Sequence, residues 1–210
     1  MSRGRFITLE GGEGAGKTTQ LVALVDALTA RGLTVVRTRE PGGAPGAEEI
    51  RRLLVEGAPD RWDAISEALL HFAARRDHLR RTIWPALARG DWVISDRFVD
   101  STMAYQGYGH ELGRSWIATL QKFATDDFLP DLTVILDVPV AEGLRRASAR
   151  RGSETRYERM DGGFHERIRT GFHDISKRAP RRCVLIDAMP PADTVAAAVL
   201  RAVRDRLAPP

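Results

Sequence analysis

The sequence predicts an α/β protein, a doubly wound domain of three layers (α/β/α) with a five-stranded parallel sheet at its centre. Short runs of apolar residues alternate with longer segments of helical periodicity, which is the pattern of βαβ units. The run LTVIL at residues 132–136 is apolar almost throughout, as expected for a strand that is buried on both faces. With 210 residues and 43% apolar side chains, the chain can bury a core as a single domain.

The five strands are each predicted by a short apolar run, at residues 6–10, 34–38, 92–95, 132–137 and 183–187. Helical periodicity predicts helices at residues 16–29, 47–55, 63–89, 101–108, 115–124, 140–149, 164–177 and 194–206. Loops are expected where glycine, proline or charge is dense, at residues 39–46, 107–110 and 150–159.

The charge and composition favour small phosphorylated ligands. The net charge of +4 attracts phosphate in any form, but the sequence has no basic tract interleaved with aromatic residues and no recognised nucleic-acid-binding motif. We therefore expect neither nucleic acid nor a membrane as a partner, because no apolar run reaches the roughly 18 to 20 residues of a membrane helix. The absence of a signal-peptide pattern and the single cysteine, Cys183, predict a cytoplasmic protein.

A phosphate-binding motif lies between the first predicted strand and the first predicted helix. Residues 11–18 read GGEGAGKT, which fits G-x-x-x-x-G-K-[ST]. Glycines let backbone N–H groups surround an anion, Lys17 can reach the terminal phosphates, and Thr18 can hold Mg²⁺. The motif predicts a domain of the P-loop NTPase type that binds a nucleoside triphosphate through Gly11, Gly12, Glu13, Gly14, Ala15, Gly16, Lys17, Thr18 and Thr19.

The pair Asp96-Arg97 follows the third predicted strand and limits the classes of reaction that the P-loop could serve. Asp96 can hold Mg²⁺ through water, and Arg97 can grip an acceptor phosphate with two N–H groups. The chain contains no asparagine, so the N-K-x-D element of a guanine-reading GTPase is absent. A motor or AAA-type ATPase usually has a larger chain and an Asp-Glu pair at this position. The pair therefore favours phosphoryl transfer between two bound phosphates.

Taken in order along the chain, these motifs resemble those of the thymidylate kinase family of the bacterial type. The P-loop is generic, but the combination of REPGG, DRF and AYQG is specific, and the resemblance covers nearly the whole chain. The matching segments are LEGGEGAGKTT at 9–19, TREPGG at 38–43, Phe72 with Arg76, DRF at 96–98, STMAYQG at 101–107, and PDLT at 130–133 leading to LD at 136–137.

The resemblance implies one nucleoside monophosphate kinase domain over residues 1–210, which transfers the γ-phosphoryl group of ATP to dTMP with Mg²⁺ in the biosynthesis of dTTP. It also implies a homodimer, for which the predicted helix at 63–89 is the best candidate interface. For the base, the resemblance implies that Phe72 stacks on thymine and that Arg76, Gln106 and Thr102 form hydrogen bonds to its edge. For the sugar, it implies that Tyr105 excludes a ribose 2′-OH and that Glu40 and Pro41 form a wall. It further implies that Arg97 and Arg51 bind the phosphate of dTMP and that Ser101 is an additional substrate contact.

The charged segment, about residues 150–161, corresponds to the lid of the family. The resemblance implies that a basic residue reaches the transferred phosphoryl group, either from the P-loop or from the lid. Because the P-loop carries Glu13 and no arginine, this cation is assigned to Arg150, with Arg151 and Arg156 as neighbours that contact ATP. The implied catalytic set is Lys17, Arg97, Arg150 and Glu13.

Three alternatives stay open at this point: a kinase for another monophosphate such as dUMP or CMP, a regulatory P-loop module that binds ATP without transfer, and a basic nucleic-acid binder. Lys17, Thr18, Asp96 and the lid arginines argue against the regulatory module. Phe72 also fits a core position, because Leu69 and Leu70 precede it. The five histidines show no metal-site spacing and are assigned to structural or surface positions.

Overall fold

A computed structural model describes residues 4–149 and 156–208. A single parallel sheet with strand order β2-β3-β1-β4-β5 forms the centre of the molecule. Its strands are β1 (Phe6–Glu10), β2 (Val35–Arg39), β3 (Trp92–Asp96), β4 (Leu132–Asp137) and β5 (Cys183–Asp187). All five predicted strands are confirmed, with β2 displaced by one residue and β3 longer by one.

The α-helices in the described part of the chain are α1 (Lys17–Thr29), α2 (Pro45–Val55), α3 (Ala64–His78), α4 (Trp84–Ala88), α5 (Val99–Thr102), α6 (Arg114–Thr125), α7 (Val140–Ser148), α8 (Gly162–Arg178) and α9 (Ala192–Leu207). Two π-helical segments, Leu79–Ile83 and Met103–Gly109, and a short 3₁₀ turn, Tyr157–Arg159, complete the helical structure. Among these helices, none combines the length and the apolar character needed to cross a bilayer.

The helices cover both faces of the sheet, because alternate residues of a strand point to opposite faces. Ile7 and Leu9 pack with residues of α1 and α9 on one face. Phe6 of the same strand points to the opposite face, where it packs with residues of α3 and of the segment that follows α3. The three-layer α/β/α fold predicted from the sequence is thereby confirmed.

The long helix predicted at residues 63–89 is wrong as a continuous α-helix. The structure divides it into α3, the π-helical segment Leu79–Ile83 and α4. Pro85 explains the division, since it has no N–H to donate and its ring clashes with the carbonyl four residues earlier in a regular α-helix. The wider π-helical turn directly before it removes that conflict.

The helix predicted at residues 101–108 is also altered, and the loop predicted at 107–110 lies largely within helical structure. Helix α5 is followed by the π-helical segment Met103–Gly109, in which His110 N–H bonds to the carbonyl of Tyr105 across 2.8 Å. Such segments occur often at functional sites, and this one carries Tyr105 and Gln106. The predicted loop at 39–46 is shorter than expected, because α2 already begins at Pro45.

The sheet places three of the predicted motifs at one edge. In the parallel register Leu9 of β1 and Arg39 of β2 both lie opposite Asp96 of β3. The segments that follow these strands, namely the P-loop, the Glu40-Pro41 segment and Arg97, therefore leave the sheet side by side. In doubly wound folds ligands bind at this carboxyl edge.

Candidate active site

The P-loop forms a compact cradle between β1 and α1. Lys17 folds back over the loop, and its Nζ donates hydrogen bonds to the carbonyls of Gly11 (3.1 Å) and Gly12 (2.8 Å). Burial and the positive charge of Arg97 lower the pKa of Lys17 to about 8. The two hydrogen bonds hold the Lys17 side chain over the anion-binding loop.

The loop needs glycine at Gly14, which has a φ of 67°. A Cβ added there would lie 1.9 Å from the carbonyl oxygen of Gly143, which is too close for any other residue type. The P-loop therefore packs directly against the start of α7, and its backbone conformation depends on this contact.

Two oxygen-bearing side chains stand at the start of α1 and the end of β3. The Thr18 hydroxyl donates to Oδ2 of Asp96 across 2.8 Å. Hydroxyl and carboxylate oxygens, completed by water and phosphate oxygens, are the ligands that Mg²⁺ prefers. The two residues predicted as the metal site are thus brought together and fit that role.

Arg97 contacts both the P-loop and helix α5. Its Nη1 donates to the carbonyl of Gly11 and to Oγ of Ser101, both at 3.1 Å, and its Nη2 donates to Oε1 of Glu13 at 3.0 Å. The guanidinium also lies 4.8 Å from the ring centroid of Tyr105. The residue has a φ of 72°, a left-handed conformation that directs its side chain back over the loop.

Glu13 occupies the variable part of the P-loop and faces this arginine. Its Oε1 also accepts a hydrogen bond from the Tyr105 hydroxyl at 2.7 Å. Burial alone would raise the pKa of Glu13, but the charges of Arg97 and Lys17 outweigh it and lower the pKa to about 2. Glu13 is therefore ionised and orients Arg97 and Tyr105.

A cavity of about 120 Å³ opens beside the P-loop. Eight of the ten residues predicted to contact the acceptor line it, and Glu13 joins them at the end that faces the P-loop. These eight are Glu40, Pro41, Arg51, Arg97, Ser101, Thr102, Tyr105 and Gln106.

The other two, Phe72 and Arg76, are not in the cavity lining, and this corrects the sequence-based assignment. Phe72 is buried in the core cluster that contains Phe6. Arg76 Nη1 donates to the carbonyl of Ala124 at 3.1 Å and points away from the cavity.

The residue before Phe72 and the residue before Arg76 lie in the cavity lining instead. His71 and Arg75 both line the cavity, so the helix presents the face one residue earlier than expected. The four-residue spacing of aromatic ring and arginine is retained, but its register is shifted by one. His71 is thus a cavity residue and not merely structural or surface, and burial lowers its pKa to about 4, which keeps its ring neutral.

Arg75 is held in place by buried partners. Its Nε donates to Oε2 of Glu40 at 2.8 Å, and its Nη2 donates to Oγ1 of Thr102 at 2.9 Å. Its remaining atom, Nη1, is buried and has no hydrogen-bond partner among residues 4–149 and 156–208. The same is true of Oε1 of Gln106. Two residues that line the cavity, Arg75 and Gln106, therefore each keep one buried polar atom without a partner among the described residues.

Arg156 has a different environment from the ATP contact that the sequence suggested. It is 1% exposed, forms an ion pair with Glu67, and donates to the carbonyls of Leu54, Ala58 and Pro59. These contacts engage four of its five N–H groups and bury the guanidinium, so the structure does not place Arg156 as an exposed ATP contact, and this expectation is corrected. Arg150 and Arg151 lie outside the described residues.

Tyr157, the residue after Arg156, lines the cavity and was not predicted as a site residue from the sequence. Its hydroxyl lies 3.0 Å from Nε2 of His71, and its ring meets that of Tyr105 edge to face at 5.5 Å. No local pattern marks Tyr157, because it stands in a charged segment without periodicity. Glu158 also lines the cavity.

A P-loop and a neighbouring cavity that share one arginine, with the Thr18 hydroxyl and the Asp96 carboxylate paired beside them, form the arrangement of a nucleoside monophosphate kinase. The family model described as thymidylate kinase matches residues 9–199. A thymidylate kinase from Caulobacter vibrioides is 53% identical over 99% of both chains. Another, from Rhizorhabdus wittichii, is 51% identical over 97% of this chain and 99% of its own.

The structural comparison agrees. The crystal structure of thymidylate kinase from Ehrlichia chaffeensis superimposes with a TM-score of 0.78 at 36% sequence identity, covering 96% of this chain and 99% of the other. The chain belongs to the thymidylate kinase family.

Proposed function

We propose that this chain transfers the γ-phosphoryl group of Mg·ATP to dTMP, giving dTDP and ADP, with the thymine base in the cavity beside the P-loop. The observation that carries the proposal is the unpaired pair of polar atoms in that cavity, Nη1 of Arg75 and Oε1 of Gln106. Buried polar atoms without partners are costly, and a ligand that pairs them is bound selectively.

Thymine has the complementary edge. Its N3–H donates to Oε1 of Gln106 while its O4 accepts from Nη1 of Arg75. Cytosine presents the opposite pattern, an acceptor at N3 and a donor at N4, so it opposes like groups at both positions. His71 and Tyr157 flank the same cavity and supply flat rings against which the base packs.

The phosphate of dTMP is assigned to Arg97 and Arg51. Both line the cavity, and Arg97 also contacts the P-loop, so a phosphate on its guanidinium lies next to the γ-phosphate of ATP. Arginine suits this task because its planar fork matches phosphate oxygens. Glu40 and Pro41 lie on the sugar side, and Tyr105 crowds the position of a ribose 2′-OH.

ATP is assigned to the P-loop, where the backbone N–H groups and the N-terminus of α1 face its phosphates. Thr18 and Asp96 would hold Mg²⁺, which would supply positive charge to offset that of the ATP phosphates. The acceptor is a phosphate oxygen that is already ionised near neutral pH, so no general base is required. The chain's task is to align the two nucleotides and to stabilise charge with Lys17, Arg97 and the lid cation, Arg150 or Arg151.

Equilibrium binding tests the base assignment. Titration calorimetry in the absence of ATP should show dTMP binding at least about 100-fold more tightly than dCMP, with dUMP close to dTMP, because uracil has the same edge. Equal affinities for dTMP and dCMP would contradict the role of the Arg75 and Gln106 atoms. Since both substrates are cytoplasmic metabolites, we place the reaction in the cytoplasm.

We also propose that the chain forms a homodimer through α3 and α6. These helices pack against each other, and each exposes two large apolar side chains. The side chains are Ile65 (41% exposed), Leu69 (50%), Trp116 (43%) and Phe123 (89%). Large exposed apolar residues on two helices that pack together favour a protein interface.

Sedimentation equilibrium tests the dimer. The wild-type chain should sediment at twice its 23.3 kDa mass, and Phe123→Asp should shift it toward the monomer. Met189→Asp is the matched control, because Met189 is 46% exposed but lies after β5, away from both helices. A wild-type monomer at micromolar concentration would overturn the proposal.

A further inference from the structure

A buried carboxylate lies behind the cavity without lining it. Glu67 of α3 is fully buried, and a polar side chain lies beside each of its carboxylate oxygens. Oε1 accepts from Nε2 of Gln106 at 2.7 Å and lies 3.3 Å from Nε2 of His110. Oε2 forms the ion pair with Arg156. Glu67 is thus the common partner of a cavity residue and of the arginine that follows the lid segment.

Glu67 is ionised in this environment. Burial alone would raise its pKa, but the hydrogen bond from His110 and the nearby positive charges lower the pKa to about 2. Arg156 is itself fixed by three backbone carbonyls, so its guanidinium cannot leave the carboxylate without breaking those bonds. Near neutral pH Glu67 is therefore an acceptor only, with no hydrogen to donate.

An acceptor at this position determines which way the Gln106 amide faces. The two ends of a glutamine amide are nearly equal in shape, but one donates and the other accepts. A carboxylate attracts the NH₂ end and repels the oxygen. The oxygen of Gln106 is consequently left as the unpaired acceptor of the cavity.

We infer that Glu67 is a specificity-determining positioning residue, which selects an imide base over an amidine base by fixing the orientation of the Gln106 amide. This inference rests on the proposed binding of thymine in the cavity. Glu67 touches no substrate, and its influence passes entirely through Gln106. Arg156 supports it by keeping the carboxylate charged and in place.

The variant Glu67→Gln tests the inference, because it keeps the shape of the side chain and removes its charge. Arg156 only donates, so it attracts the oxygen of the introduced amide and turns the NH₂ end toward Gln106. Gln106 must then reverse, with its own NH₂ end toward the cavity. The NH₂ group of Gln106 is a donor, so it repels the N3–H donor of thymine and forms a hydrogen bond with the N3 acceptor of cytosine.

The expected result is a change in a ratio rather than a general loss. For Glu67→Gln, kcat/KM with dTMP divided by kcat/KM with dCMP should fall at least about tenfold, the loss expected for one reversed hydrogen bond. The ratio of dTMP to dUMP should stay constant, because the two bases share the edge that Gln106 reads. Glu166→Gln, an exposed change on α8, should leave both ratios as in the wild type.

An equal loss with all three substrates would overturn the inference, since it would show that Glu67 only supports the fold. A wild-type enzyme that does not prefer dTMP to dCMP would instead contradict the proposed base site. Should Glu67→Gln fail to fold because Arg156 is left unpaired, the double variant Glu67→Gln with Arg156→Met removes both buried charges. In that variant neither a carboxylate nor an arginine fixes the two amides, so Gln106 can turn either end toward the cavity. The dTMP to dCMP ratio should therefore fall there as well, and an unchanged ratio would overturn the inference.

Discussion

The Nε atom of Arg75 lies 2.8 Å from Oε2 of Glu40, and the two side chains are only 1% and 3% exposed. Oε1 of the same carboxylate lies 2.9 Å from Nδ1 of His78. Glu40 follows β2, whereas Arg75 and His78 belong to α3. The buried pair therefore fixes the distance between the sheet edge and the helix whose residues His71 and Arg75 line the cavity.

Replacing Arg75 tests whether it, and not Arg76, reads the base. Arg75→Met removes a charge-assisted hydrogen bond worth about 2 kcal/mol, so kcat/KM for dTMP should fall about 30-fold. Arg76→Met is the matched control and should remain close to the wild type, because Arg76 contacts Ala124 and Asp126 on the far side of the helix. Equal losses in both variants would contradict the assignment.

The same substitution should lower stability. Arg75→Met leaves Glu40 buried beside His78 without its arginine, and breaking a buried pair on one side costs about 3 kcal/mol. Urea denaturation should show this loss for Arg75→Met and less than about 0.5 kcal/mol for Arg76→Met, whose ion pair with Asp126 is exposed. Kinetics are therefore to be measured well below the melting temperature of each variant.

Lys17→Ala should nearly abolish turnover and leave the fold intact. The Nζ group bonds only to P-loop carbonyls within the described residues, so its removal costs little packing. We expect kcat to fall about 100- to 1,000-fold, as for the loss of one preorganised charge at a transition state. Lys177→Ala, an exposed change on α8, is the control. Normal melting together with wild-type turnover would contradict the P-loop assignment.

The lowered pKa of Lys17 also predicts a pH dependence. In the free enzyme the ammonium loses its proton around pH 8, and the neutral amine attracts ATP less strongly. Thus kcat/KM for Mg·ATP should decline as the pH rises through about 8. A profile that is flat from pH 7 to 9.5 would show that Lys17 keeps its ordinary pKa.

His71 predicts a dependence of stability on acid. Burial is the main cause that lowers its pKa from 6.5 to about 4, so the unfolded chain binds this proton more readily than the folded chain. The free energy of unfolding should therefore fall as the pH drops from 6.5 to 4. His71→Gln should reduce that slope in chemical denaturation curves. The same slope in both proteins would assign the effect to other groups.

Arg150→Ala tests the lid cation. A positive charge that meets the transferring phosphoryl group acts mainly on the transition state, so kcat should fall far more than the affinity for dTMP. Since Arg156 is buried against Glu67, the catalytic role lies between Arg150 and Arg151. If Arg150→Ala changes only the KM for dTMP, the role belongs to Arg151.

The strands and the phosphate cradle could be predicted from the sequence because their signals are local. An apolar run followed by GGEGAGKT fixes both the end of β1 and the start of α1. The register of α3 could not be obtained in this way. His71 and Arg75, like Phe72 and Arg76, are four residues apart, and successive positions differ by only about 100° around a helix. Only the packing of Phe72 against the core shows which pair faces the cavity.

The buried contacts of Arg156 could not be predicted from the sequence for a different reason. In the sequence it stands among charged residues, where an exposed side chain is the ordinary expectation. Its partners, the Glu67 carboxylate and three carbonyls around residues 54–59, are distant along the chain. Such a set of contacts is produced by tertiary packing alone, so no local pattern predicts it.

The most direct test of the proposed reaction is ADP release with Mg·ATP and a panel of dTMP, dUMP, dCMP, CMP, AMP and GMP, compared by kcat/KM. We expect the highest value for dTMP, a value for dUMP close to it because the two bases share the edge that Gln106 reads, and values at least about 100-fold lower for dCMP and the remaining nucleotides. Highest activity with dCMP or CMP would contradict the pairing of thymine with Arg75 and Gln106. Absence of ADP release with every monophosphate would contradict phosphoryl transfer itself.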